Sequence, residues 1–271
     1  MIPDPNASYL FLFAHPDDDV FICGTMHMLL QEGAEVHAAW LTSGDYFGQG
    51  ELRESELAQA VEILGLHDSR VHLLRQPDLG LVPGMGQAAE SLTELLLAVK
   101  PDMLFVTAFE GGHPDHDSTN FLAYECRARA GLKARIFEFP LYNGTGPVHH
   151  WRWRINGFPP GGPEIRFQPL DDRAVDCKYR MMRTYSSQWM YMAPARLASR
   201  RSRLKKFGEP YRACPPDRDH TIPPHAGLLN YERWFNFFIK ITFADYADAV
   251  RRTRTSVSPN GIAFVDIYPG T

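Results

Sequence analysis

The chain has no long hydrophobic run. Across its 271 residues no apolar stretch reaches the ~18–20 residues a membrane helix requires, so no membrane span is expected. The opening residues, Met1-Ile2-Pro3-Asp4, lack the basic start of a signal peptide, and the expected location is cytoplasmic. Cysteine is sparse. Cys23, Cys126, Cys177 and Cys214 are scattered without a C-x-x-C pair, which argues against both a zinc knuckle and a disulfide framework. Positive charge is scarce in one half only: residues 1–120 hold four Lys or Arg against nineteen Asp or Glu, whereas residues 151–215 hold fourteen against five. Such a basic segment could steer an anionic substrate or nucleic acid, or be a solvated face that balances the acidic half. Its aromatic and proline-rich character favours a pocket cover, and no nucleic-acid partner is expected.

What remains is ordinary globular material, 44% hydrophobic and 22% charged. The first 140 residues alternate short apolar runs with helical patterns, the signature of β-α-β units. Strands are predicted over 8–14, 35–42, 70–74, 103–109 and 134–140, and helices over 20–31, 51–64, 87–99 and 118–130. The fold class implied is α/β, a Rossmann-like three-layer sandwich with a mostly parallel sheet. Residues 1–142 form its core, and 143–271 form a C-terminal segment covering the active-site face, all within a single domain. Helices are predicted near 171–185 and 192–206, and late aromatic strands over 231–241 and 262–268.

Two polar clusters interrupt this pattern. His15-Pro16-Asp17-Asp18-Asp19 follows the first strand, and His113-Pro114-Asp115-His116 follows the fourth. In open α/β sheets the crevice beyond the strands' C-terminal ends binds ligands, so the two clusters can share one site. Three adjacent carboxylates repel one another unless a cation is present. Taken singly, the first cluster could merely cap a helix and the second could be a surface loop. Together they supply the three nitrogen or oxygen ligands and the open fourth position of a catalytic zinc.

These two clusters, with Arg53-x-x-Glu56-Leu57-x-x-Ala60 and Pro77-Asp78, resemble the signature motifs of the PIG-L/LmbE-like zinc-dependent N-acetylglucosamine deacetylase family. Weaker echoes are Lys178, Tyr185-Ser186-Ser187-Gln188 and Glu232-Arg233-Trp234-Phe235. The resemblance implies one zinc per chain, held by His15, Asp18 and His116, with Asp17 as general base on the water that the metal activates. It implies that His113 stabilises the oxyanion or protonates the leaving amine, with Asp115 holding its orientation. Arg53 becomes a second stabiliser or substrate contact, and Asp78 a partner for sugar hydroxyls. The implied substrate is a small amino-sugar conjugate losing an N-acyl group, most simply acetyl. The alternative is a non-catalytic nucleotide- or glycan-binding α/β protein with a structural metal. A homo-oligomer is compatible with either.

The chain departs from the family pattern at Asp19 (commonly Glu), at Leu79-Gly80 where Gly usually follows Asp78 directly, and at Tyr185 (commonly His). His149, His150, His220 and His225 lie in irregular segments and read as loop histidines; His27 and His37 read as structural. Trp151, Trp153, Trp189, Trp234 and Tyr191 suit core packing or stacking on a sugar ring. Gly48-Gln49-Gly50 alone is weak evidence for a dinucleotide site.

Overall fold

A computed structural model describes residues 4, 6–146, 153–233 and 240–255. Its strands are β1 (Ser8–Phe13), β2 (Glu35–Thr42), β3 (Val71–Gln76), β4 (Met103–Thr107), β5 (Arg135–Phe139), β6 (Tyr142–Asn143), β7 (Arg154–Ile155), β8 (Arg166–Gln168) and β9 (Glu209–Ala213). The helices are α1 (Cys23–Gln31), α2 (Gly50–Leu64), α3 (Met85–Val99), α4 (Pro114–Arg129), α5 (Asp172–Thr184), α6 (Trp189–Ala198), α7 (Arg201–Phe207), α8 (Asn230–Arg233) and α9 (Phe243–Thr255).

Seven strands form one sheet in the order β3-β2-β1-β4-β5-β9-β8. The first five are parallel, and β9 and β8 extend it antiparallel. β1 explains the centre. Its residues alternate between faces and nearly all are buried, so both sides need cover. Tyr9, Phe11 and Phe13 enter one layer with residues of α1, α2 and α5. Leu10 and Leu12 enter the other, with residues of α3, α4 and α9. Phe11, Phe105 and Phe137 stack across three strands with ring centroids 4.9 and 5.1 Å apart. Each such ring contributes roughly 1.5–3 kcal/mol by leaving water. The result is the three-layer sandwich with a mostly parallel sheet.

Beyond residue 143 the expected pattern needs correction. The sheet edge is built from β8 and β9, because Glu209 and Arg212 are buried polar residues with buried partners, Lys178 and Glu138. Residues 230–233 form the short helix α8 where a strand over 231–241 is predicted. Residues 234–239 and the strand predicted over 262–268 lie outside the described residues. The helix predicted over 192–206 is two helices, broken between Ala198 and Arg201. Chain order reverses at β1, which has β2 on one side and β4 on the other. That switch point opens the crevice where both polar clusters lie.

Candidate metal centre

The first cluster is shaped by one carboxylate. Asp18 Oδ2 accepts the backbone N–H groups of Ala14 and His15 at 3.0 and 2.9 Å, folding the chain back onto the end of β1. This leaves Oδ1 directed at His116 Nε2, 3.2 Å away. Asp17 is held at φ 111°, a conformation non-glycine residues rarely adopt. Its carboxylate is thereby separated from that of Asp18, and Oδ1 accepts from Arg53 Nη2 at 2.7 Å. Neither Asp17 nor Ile22, the residues that precede the two helical turns here, makes a side-chain cap.

The second cluster is helical, contrary to the expected start at 118. Pro114 suits the first helical position, where its missing N–H costs nothing, and His113 caps the helix, its Nδ1 accepting from Asp115 N at 3.2 Å. His116, one turn in, then faces His15, with His15 Nδ1 3.3 Å from His116 Nε2. Asp18 Oδ2 lies 3.7 Å from His15 Nδ1. The ligand atoms of His15, His113 and His116 lie within 4.8 Å of one another, as do those of His15, Asp78 and Asp115; Asp18 is in neither group.

His15 decides among these sets. Its Nε2 lies 3.2 Å from both Asp78 Oδ1 and Asp115 Oδ2, so its proton belongs there and Nδ1 is left for a metal. Nδ1 faces Asp18 and His116. These three side chains are buried, whereas Asp17 and His113 are half-buried. Burial pushes the Asp17 carboxyl up to about 7, Arg53 opposing it and Asp18 adding to it. Burial and the charges of His15 and His116 hold His113 well below the usual histidine range. The neutral ring, accepting at Nδ1, carries its proton on Nε2.

Three of the expected site residues have protein partners here. Asp115 does not orient His113 with its carboxylate; it binds His15 and the N–H groups of Leu79 and Leu81, at 2.7 and 3.2 Å. Asp78 lies against the same His15 nitrogen. Arg53 is buried and engaged, donating to Gly44 O at 3.1 Å, to Pro16 O and to Asp17. Gly44 lies at φ 65°, and a Cβ there would meet the Arg53 guanidinium at 2.7 Å. Leu79, the departure from the family's glycine, still adopts φ 59°.

The weaker echoes also meet. Glu56 accepts from Ser186 Oγ, Ser187 N and Ser187 Oγ at 2.6–2.8 Å, and Tyr185 Oη donates to Asp19 Oδ2 at 2.6 Å. Two departures from the family pattern thus contact each other. Lys178 and Glu209 form a fully buried pair at 2.6 Å. Sequence reasoning missed Glu110, which accepts from Leu141 N, Tyr142 N and Asn143 Nδ2 and fixes β6 beside His116. No motif signals it.

Other candidates separate from the site. His220 is buried against Phe109, Phe121 and Tyr124, and His225 bonds the adjacent Ala226 carbonyl. His27 bonds Leu64 O, and His37 pairs with His72. Trp153 packs on Tyr142, whose ring lies 5.4 Å from His116. Trp189 and Tyr191 are exposed, and Tyr191 lies within electrostatic reach of Asp17. His149, His150, Trp151 and Trp234 fall outside the described residues.

Residues 10–127 match the family model for PIG-L, GlcNAc-PI de-N-acetylase. The chain is 29% identical over 138 residues to the N-acetylglucosaminyl-phosphatidylinositol de-N-acetylase of Bos taurus, covering 48% of this chain and 54% of that protein. It spans about half the length of the curated relatives it matches. A conserved protein of Thermus thermophilus superposes with a TM-score of 0.58 at 24% identity, over 82% of this chain and 100% of that one. A deacetylase of teicoplanin biosynthesis superposes with a TM-score of 0.60 at 15% identity, over 76% and 97%. At such identities the structures show a shared fold. The matched segment is similar to the PIG-L family model, and the remainder of the likeness is one of fold.

Proposed function

We propose that the chain is a zinc-dependent hydrolase that removes an N-acyl group, acetyl, from an amino sugar or amino-sugar conjugate. The observation that carries this is the position of His116 Nε2, 3.3 Å from His15 Nδ1 and 3.2 Å from Asp18 Oδ1, with Asp17 next in the chain. Three buried donors of this kind fit a divalent metal. His116 Nδ1 is buried without a partner, so the ring's bonding capacity is directed at Nε2, the atom that faces His15 and Asp18. A bound metal would activate water and polarise the acyl carbonyl.

The remaining work belongs to the chain. Asp17 accepts a proton from water as its oxygen bonds to the acyl carbon. The C–N bond then breaks as that proton passes to the amine nitrogen. Arg53 holds Asp17 and the Pro16 turn in register. His113, protonated on Nε2, donates to the oxyanion. Asp115 and Asp78 fix the tautomer and orientation of His15. The described residues beyond 143 complete the pocket within the same domain, with Trp153, Tyr142 and Tyr191 as the surfaces available to a sugar ring.

The test is acetate release from a panel of N-acetylglucosamine conjugates before chelation, after it, and after zinc is restored. Activity that is lost and then regained supports the reading; activity indifferent to chelation contradicts it.

A further inference from the structure

A pocket of about 290 Å³ opens beside Phe109, and none of the residues assigned to the metal centre lines it. Six of its thirteen lining residues are proline. Proline carries no N–H, so these residues give the walls an apolar part, to which the Phe109 ring adds. The hydrogen-bonding capacity is concentrated in Arg212 and Arg218.

Both arginines converge on one carboxylate. Glu138 Oε1 accepts from Arg212 Nε at 2.7 Å and Arg218 Nη2 at 2.8 Å, and Oε2 accepts from Arg218 Nη1. Arg212 Nη1 also donates to Gly161 O, and Arg218 Nη1 to Asn120 Oδ1, each at 3.1 Å. Arg212 Nη2 and Arg218 Nε are left without a protein acceptor, yet neither is among the solvent-excluded atoms that lack a partner. They keep access to solvent on side chains that line the pocket.

The charges do not cancel. Glu138 is fully buried and held at about 2: burial opposes ionisation, but Arg218 and Arg212 outweigh it. One carboxylate therefore faces two guanidinium groups. His220, bonded to the same Asn120, is kept neutral by burial and by the charge of Arg218. Asp219 on the lining is exposed and ionised, its carboxylate accepting from Thr221 N and Oγ1 at 2.8 and 2.7 Å; the charge of Arg254 acts on it, so it does not offset the second buried guanidinium. One positive charge is left over in a poorly hydrated wall, and an anion would neutralise it.

We propose that this pocket binds a small organic molecule through a single carboxylate group, with its apolar body against Phe109 and the prolines. The planar guanidinium matches carboxylate oxygens. A phosphate carries more charge than the surplus, and the proline walls supply few of the backbone N–H groups that phosphate sites use.

The test is a calorimetric titration of the full-length protein with sodium benzoate, run in parallel with inorganic phosphate. Benzoate is expected to saturate one site with Kd on the order of 1 mM, and phosphate to bind more weakly. Ile222 is 60% exposed on the lining; Ile222→Asp places a negative charge there without touching the arginines and should weaken benzoate about tenfold, with Tm unchanged. Arg218→Lys, which keeps the charge and loses the fork, should also weaken it. Phosphate binding as tightly as benzoate overturns the carboxylate assignment. Absence of saturable binding, or binding that Ile222→Asp leaves unchanged, overturns the site. The readout is binding alone, so it stands or falls separately from deacylation.

Discussion

Replacing Asp115 by Asn should weaken zinc binding about 30-fold, close to 2 kcal/mol, although Asp115 is not one of the three proposed ligands. Its carboxylate is fully buried and serves three N–H groups: His15 Nε2 at 3.2 Å, Leu79 N at 2.7 Å and Leu81 N at 3.2 Å. Asn is nearly isosteric but offers one acceptor oxygen. If that oxygen keeps Leu79 and His15, the amide NH₂ confronts Leu81 N–H; if it turns, Leu79 and His15 both lose it and His15 keeps Asp78 alone. Either way at least one hydrogen bond to a charged group disappears, worth roughly 1.5–3 kcal/mol. His15 is then less firmly committed to presenting Nδ1. Asp78, half-buried and sharing the same nitrogen, should matter less, about fivefold for Asp78→Asn. Competition with a chromophoric chelator measures both variants. Wild-type zinc affinity in Asp115→Asn would refute the orientation argument, even if the three ligands were correct.

Three further outcomes follow from the geometry. Gly44→Ala meets the Arg53 guanidinium at φ 65° and should cost about 2 kcal/mol in urea unfolding; a neutral effect would mean that the Arg53 cradle is loose. Arg53→Lys cannot reach Gly44 O, Pro16 O and Asp17 together, so kcat for acetate release should fall at least about tenfold with KM little changed; a rise in KM alone would make Arg53 a substrate contact. Glu138 is held at about 2, below its ordinary 4.5, so its ionised form stabilises the fold above pH 4.5 and that contribution is lost as pH falls towards 2. Glu138→Gln should therefore be less stable than wild type at pH 6, with the gap narrowing by pH 3; a gap independent of pH would contradict the ionised assignment.

The parallel core was legible because burial on both faces leaves continuous apolar runs such as Tyr9 to Phe13, bounded by breakers. The antiparallel edge was not. Glu209 and Arg212 look like solvated residues until Lys178 and Glu138, 31 and 74 positions away, are folded against them. Pro114 read as a turn because proline at a first helical position and proline in a loop look alike in sequence. The site shows the same division. His15, Asp18 and His116 are set by their place at strand ends, and their convergence could be anticipated. The partners of Arg53, Asp78 and Asp115 could not, because they depend on the 44 and 79–81 turns, whose left-handed Gly44 and Leu79 direct the chain back towards the site.

The central claim is that the metal site and the base are separate functions of adjacent residues. Zinc content and acetate release should be measured together on wild type and Asp17→Asn. About one zinc per chain is expected in both, and acetate release in wild type alone. Normal turnover by Asp17→Asn would contradict it.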